Sequence, residues 1–114
     1  MRDILFLLGP TFVNGDGVTK YCGDSVSVEG MISFVPAIKA CIDIRYLEAA
    51  RPRQALVAMI GEENQSLPVL VLAGGRVPVD KAIPTRTANG LVFLDKEADI
   101  RRYLSAQYGL PDAA

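Results

Sequence analysis

The chain contains no histidine and no tryptophan, and only two cysteines, in 114 residues. Without histidine there is no Ser-His-Asp or Cys-His pair, no imidazole to move protons near neutral pH, and none of the commonest zinc and copper ligand. Two cysteines cannot close a typical structural zinc site, so no metal is expected, and they do not build a secreted disulfide framework. An excess of charge of one sign is also missing: 12 basic against 13 acidic residues leave a net charge of −1. No basic cluster marks a nucleic-acid or anionic-membrane surface, and neither partner is expected. The apolar run Ile4-Leu5-Phe6-Leu7-Leu8 is far too short to span a bilayer and lacks the basic leader and cleavage site of a secretory signal. The expected setting is cytoplasmic and reduced. What remains is thiol chemistry, carboxylate or tyrosine acid–base work, or no catalysis at all.

Half of the residues are hydrophobic, and the length suits one domain, residues 1–114, with a core of its own. Residues 3–8 read as a short buried strand ended by Gly9-Pro10. Asn14-Gly15-Asp16-Gly17 is a turn signal, which makes residues 11–20 a loop. From about Ser25 onward, Val28, Met31, Ile32 and Val35 recur at helical spacing and predict a helix. On propensity alone, Val26-Ser27-Val28 would pass for a strand. Pro36 ends the helix near Phe34 or Val35. Residues 42–47 read as a second strand, and Pro52 in the first turn with Gly61 past the end brackets a helix over residues 55–60.

Residues 68–72 are the most hydrophobic run and predict a central strand; residues 90–94 predict another. Asp95 is placed as the cap of a last helix with the inner stripe Ile100, Tyr103, Leu104 and Tyr108, stopped by Gly109 and Pro111. Residues 74–89 are long for a connection, hence either functional or mobile. The order β-α-β-α-β-β-α predicts an α/β domain. Its first β-α-β is parallel and its last two strands antiparallel, giving a mixed four-stranded sheet flanked by helices.

Cys22 lies in Tyr21-Cys22-Gly23-Asp24-Ser25 at the first helix start, where backbone N–H groups and the helix dipole favour a thiolate. Asp24 opposes that charge and Lys20 offsets Asp24, with terms of similar size, so a reactive thiol and an inert cysteine both stay open. Ser25 either donates to the sulfur or caps the helix. Cys41 falls roughly 15 Å or more away along the helix, whereas a disulfide needs Cα atoms within about 7 Å; it reads as a buried or structural cysteine. Arg51 and Arg53 flank Pro52 and either bind a carboxylate or phosphate or form a solvated face. Residues 62–66, ending in Ser66, either line a cleft with amide and hydroxyl groups or form a solvated loop. Tyr21 is a stacking wall, a proton donor or a plain shield beside the thiol.

The element order, the cysteine at the first helix start and the proline opening the third strand resemble the thioredoxin-like fold. Ser66-Leu67-Pro68-Val69-Leu70 resembles the Leu/Val-Pro entrance to the third strand in the amino-terminal domain of glutathione transferases. Ala98-Asp99-Ile100-Arg101-Arg102-Tyr103-Leu104, followed by Tyr108-Gly109, resembles the helix that closes that domain. Cys22 through Ser25 is similar to the Cys-Gly-Phe-Ser of monothiol glutaredoxins, with Asp24 in place of phenylalanine. The chain is also similar to short bacterial thioredoxin-like families, for which the resemblance supplies no reaction.

The resemblance implies a cis Leu67-Pro68 peptide, with the Leu67 N–H and C=O beside Cys22 to receive the cysteinyl part of glutathione or a peptide. The residues alone are equally read as a trans proline at a strand edge. It implies that Arg51 and Arg53 stand near the same cleft, and that Ser25 occupies the place of a resolving cysteine, which rules out a two-cysteine cycle. Transferases hold the γ-glutamyl group with an acid-Ser pair at the last helix start, where this chain has Lys96 and Glu97. Glu97 would repel the ligand carboxylate and Lys96 could accept it in an altered pose, or both are ordinary solvated residues. Glutathione, the one cofactor the resemblance implies, is therefore expected to bind weakly. The helical second domain of the transferases, with its co-substrate pocket, has no counterpart in these residues, and homodimerisation over an exposed face is the fold-level analogy. The expected function is a monothiol protein in thiol redox or thiol-adduct chemistry on a small thiol or peptide thiol. Cys22 would be the nucleophile, stabilised by Ser25 and the helix N-terminus, with Leu67-Pro68 as substrate wall. The alternative is a non-catalytic binding or assembly module using the same cleft or residues 74–89.

Overall fold

Every residue of strand β1 (Ile4–Leu8) is buried. Successive side chains of a strand point to opposite faces, so a strand buried throughout needs cover on both. In the computed structural model, which describes residues 1–114, that cover comes from helices on either side. Leu5 and Leu7 enter a core with Val28 and Ile32 of α1 (Gly23–Phe34), Ile38 of α2 (Ile38–Cys41) and Ile100, Tyr103 and Leu104 of α4 (Glu97–Tyr108). Ile4 and Phe6 face Leu56 and Ile60 of α3 (Gln54–Ile60). The fold is mixed α/β.

Strand β4 (Asp43–Leu47) runs parallel to β1, β5 (Val69–Val71) runs antiparallel on its other side, and β7 (Leu91–Leu94) is antiparallel to β5. The sheet has five strands, in the order β4-β1-β5-β7-β6, which corrects the expected four. The additional strand, β6 (Arg86–Ala88), comes from the end of residues 74–89 and pairs with β7 across Asn89-Gly90. Both turn residues have positive φ, 51° and 76°, as the Asn-Gly type I′ hairpin requires. The loop of residues 11–20 likewise holds a hairpin of its own, β2 (Phe12–Val13) with β3 (Thr19–Lys20), turning at Asn14-Gly15-Asp16-Gly17.

Residues 26–28 are helical, so the apolar stripe prevails over β propensity there. Pro52 lies outside α3, ahead of its N-cap Arg53, rather than in the first turn. Both Arg51–Pro52 and Leu67–Pro68 are cis. Lys96, not Asp95, is the N-cap of α4 and makes no side-chain capping bond; the Asp95 carboxylate instead accepts from Arg86 at 2.5 Å. The connection after β5 is fastened down: Ile83 is buried in the larger core, Arg102 donates to Asp80 at 2.6 Å, and the Val79 N–H donates to Gln107 Oε1 at 2.9 Å.

One charge sits inside. Asp3 is 0% exposed, and a carboxylate there is costly unless all its lone pairs find donors. It accepts from the Ala73 N–H at 2.7 Å, Tyr103 Oη at 2.5 Å, Tyr108 Oη at 2.6 Å and Arg76 Nη1 at 3.1 Å. Burial, and then the hydrogen bonds to Asp3, push both tyrosine phenols well above their ordinary range.

Asp3→Asn puts an amide where four donors converge, and urea unfolding should show a loss of about 3 kcal/mol or more, against about 1–2 kcal/mol for Tyr108→Phe. The raised phenols also set a pH dependence. The folded state holds those protons more tightly than the unfolded chain, so their contribution is complete below about pH 10 and disappears as pH rises through the folded-state values. Unfolding free energy measured from pH 8 upward should fall above pH 10 in the wild type, and less steeply in Tyr108→Phe.

Candidate functional site

Strand direction gathers the candidate residues at one sheet edge. β1, β4 and β7 run one way and β5 the other, so the ends of the first three and the entrance to β5 lie together. Cys22 is the N-cap of α1, with extended backbone (φ −84°, ψ 111°), in the place usually held by Ser, Thr, Asp or Asn. Its Sγ accepts the Ser25 N–H at 3.4 Å and lies 3.9 Å from the Leu67 carbonyl oxygen, toward which the thiol donates. The Leu67 N–H makes no hydrogen bond. Cys22 is half-buried and free, so the sulfur is reachable.

Ser25 reaches the sulfur only through its backbone. Its hydroxyl is buried and accepts the Leu8 N–H at 3.1 Å, which ties the first turn of α1 to the end of β1. The cysteine is thus positioned by a side chain that never touches it.

Arg53 is the best-anchored cation near the thiol. Its guanidinium donates to three carbonyls, Gln65 at 2.5 Å, Ala49 at 2.9 Å and Glu48 at 3.3 Å, while its backbone N–H takes Gln65 Oε1 at 2.6 Å. No carboxylate pairs with it. Burial and then repulsion from Arg51 hold its pKa below the ordinary value, and attraction to Cys22 works the other way. Arg53 therefore clips the segment after β4 to the segment leading into Leu67, and keeps an unneutralised charge beside the sulfur. Arg51 is exposed and makes no ion pair.

The remaining candidates stand more loosely. Tyr21 is 65% exposed, and Ser66 and Lys96 are exposed at the starts of their segments. Glu97 is committed elsewhere: it accepts from Ser27 at 2.8 Å and from Arg101 at 3.0 Å, and these two bonds, Ser27 first, lower its pKa. It locks α4 to α1. Cys41 donates to the Ala37 carbonyl within α2 and is not in a disulfide. No helix is long and apolar enough to cross a membrane.

The sequence reading missed one feature of this edge, a cavity of about 360 Å³ on which Cys22 and Ser25 border. Neither Leu67 nor Pro68 lines it. Glu29 and Tyr46, which do, come from the exposed sides of α1 and β4. Only the helical spacing of Ser25, Val26 and Glu29 hinted that these residues share a face.

Arg53→Met removes the charge near the sulfur. Iodoacetamide alkylation of Cys22 at pH 7 should slow by roughly fivefold, the equivalent of about 1 kcal/mol of charge–charge attraction near a surface. Arg101→Met, on α4, should leave the rate unchanged.

Comparison with known proteins bears on the family alone. No curated protein and no solved structure matches the chain. A family model described as a protein of unknown function, DUF3088, matches residues 2–112. With nearly its whole length covered by that model, the chain belongs to the DUF3088 family.

Proposed function

We propose that this chain is a monothiol protein of thioredoxin-like fold, acting in thiol redox or thiol-adduct chemistry through Cys22. The observation that carries the reading is the surroundings of the sulfur. A helix N-terminus supplies an N–H at 3.4 Å, and the Leu67 segment, with its free N–H, stands across from it. The strand order β4-β1-β5-β7, with one parallel and two antiparallel neighbours, supports the fold assignment.

In this reading the Cys22 thiolate attacks one sulfur of a disulfide and displaces the other as a thiolate, leaving a mixed disulfide on the protein. Ser25 has no thiol, so a second thiol from solution must release the adduct and restore Cys22. The free Leu67 N–H offers a backbone contact for a peptide-like thiol. Glutathione is a poor fit on the α4 side, because Glu97 is ionised, bonded to Ser27 and Arg101, and repels a second carboxylate. Lys96, with no ion pair of its own, is the one cation at that helix start.

A second reading, an assembly module that includes self-association, draws on a different face. Phe34 is 90% exposed beside a groove between α1 and α4. With Met31, Val35 and Pro111 along the same groove it forms a contiguous apolar patch, the kind of surface that partners cover.

Incubation with hydroxyethyl disulfide followed by peptide mass mapping should place the mixed disulfide on Cys22 and not on Cys41, and Cys22→Ser should remove it. Modification of both cysteines at the rate of free cysteine would leave the redox reading without support and favour the assembly module.

A further inference from the structure

The cavity beside Cys22 has a composition that selects its occupant. Its apolar lining includes Leu7, Leu8, Pro10 and Val26, and Cys22 borders it. At about 360 Å³ it holds a small organic group, toward the lower end of the ~300–1,000 Å³ range of small-molecule sites. One charged side chain borders it. Glu29 accepts a hydrogen bond from Tyr46 Oη at 2.7 Å and is paired with no lysine or arginine. The phenol pins this carboxylate at the cavity rim without neutralising it. Burial, and then the bond to Glu29, push Tyr46 up to about 12, so the phenol stays a donor at any physiological pH.

We propose that this cavity receives the apolar group of a neutral or cationic disulfide, whose other half leaves as a thiolate, and that Glu29 turns away anionic ones. The covalent step rests on the nucleophilic reading of Cys22; the selectivity of the cavity does not. An alkyl or aryl substituent entering it buries apolar surface against four apolar side chains. An ammonium beside the unpaired Glu29 meets opposite charge, whereas a carboxylate or sulfonate there meets like charge. The substrates so chosen are disulfides of apolar thiols and of amine-bearing thiols, a class apart from glutathione disulfide with its carboxylates.

Methanethiosulfonates test this on Cys41→Ser protein, where Cys22 is the sole thiol. The thiolate attacks the sulfenyl sulfur, an S–S bond to the transferred group forms, and methanesulfinate leaves with the electron pair of the broken S–S bond. Rates for methyl, benzyl, 2-ammonioethyl and 2-sulfonatoethyl transfer are each divided by the rate of the same reagent with 2-mercaptoethanol. Benzyl should exceed methyl by about tenfold or more, the scale on which an apolar pocket discriminates. Val26→Trp, filling the cavity, should bring the benzyl-to-methyl ratio toward one. Ammonioethyl should exceed sulfonatoethyl by more in the wild type than in Glu29→Gln, where the Arg53 charge near the sulfur is no longer opposed at the cavity.

In a separate arm without the thiol, Cys22→Ser protein is titrated with benzylamine and with benzoate, and amide NMR shifts are followed. Benzylamine should perturb Leu7, Leu8 and Val26, and benzoate should not. Equal normalised benzyl and methyl rates, or absence of benzylamine shifts at these residues, overturn the assignment. Slow transfer from every reagent, with benzylamine still bound in Cys22→Ser, upholds the cavity and counts against the nucleophilic reading.

Discussion

A single carboxylate taken out of water, Asp3, sets the frame on which everything else hangs. An ionised side chain at 0% exposure is tolerated only if the fold delivers donors to it from several directions. Here they come from the turn after β5, through Ala73 and Arg76, and from the second half of α4, through Tyr103 and Tyr108. Asp3 immediately precedes β1, so one group fixes the position of the central strand, the end of its antiparallel neighbour and the last helix. Together the four donors satisfy the carboxylate, and slack in any of these elements leaves it short of a partner.

That constraint carries to the opposite end of the sheet. With the far half of α4 held by Asp3, its first turn is tied to α1 by the Glu97–Ser27 bond. The first turn of α1 is in turn held to β1 by Ser25 and Leu8. The sulfur of Cys22 is thus set by a closed circuit of rigid elements, and the Arg53 clip sets the Leu67 segment that faces it. A weak acceptor such as a thiol contributes little to capping, so stability does not explain a cysteine at this N-cap as well as a serine would. The surroundings are built to hold a sulfur in place while leaving it half open.

Much of this frame is legible in the residues, and the reasons divide cleanly. An unbroken apolar run located β1, and period-3.6 stripes located α1 and α4, because burial leaves its mark on the residues that face the core. Asn89-Gly90 carried a hairpin signal as plain as any in the chain, yet β6 was missed because Arg86, Thr87 and Ala88 lack an apolar alternation to announce a strand at the sheet edge. Pro52 was misplaced because a proline before an N-cap and one inside a first turn look alike in sequence. Asp3 gave no sign of burial: its partners lie between 70 and 105 residues away, and only the three-dimensional path of the chain brings them together. The same holds for the cavity, whose polar pair joins two exposed faces that the sequence marks as ordinary solvated surface.

The two sides of the sulfur also differ in kind, and that difference bears on the proposed thiol chemistry. Toward Leu67 the surface is backbone, with a carbonyl and a free N–H that suit a peptide-like group. Toward Val26 and Pro10 it is apolar, with a negative rim at Glu29. In thiol–disulfide exchange the attacking, central and departing sulfurs are collinear, so a substrate's two halves meet different parts of the site. Under the proposed chemistry, a site with unlike sides would distinguish the half it retains from the half it releases, which a symmetric cleft cannot do. With no second cysteine at position 25, that asymmetry would, under the proposed thiol chemistry, bear on which mixed disulfide forms.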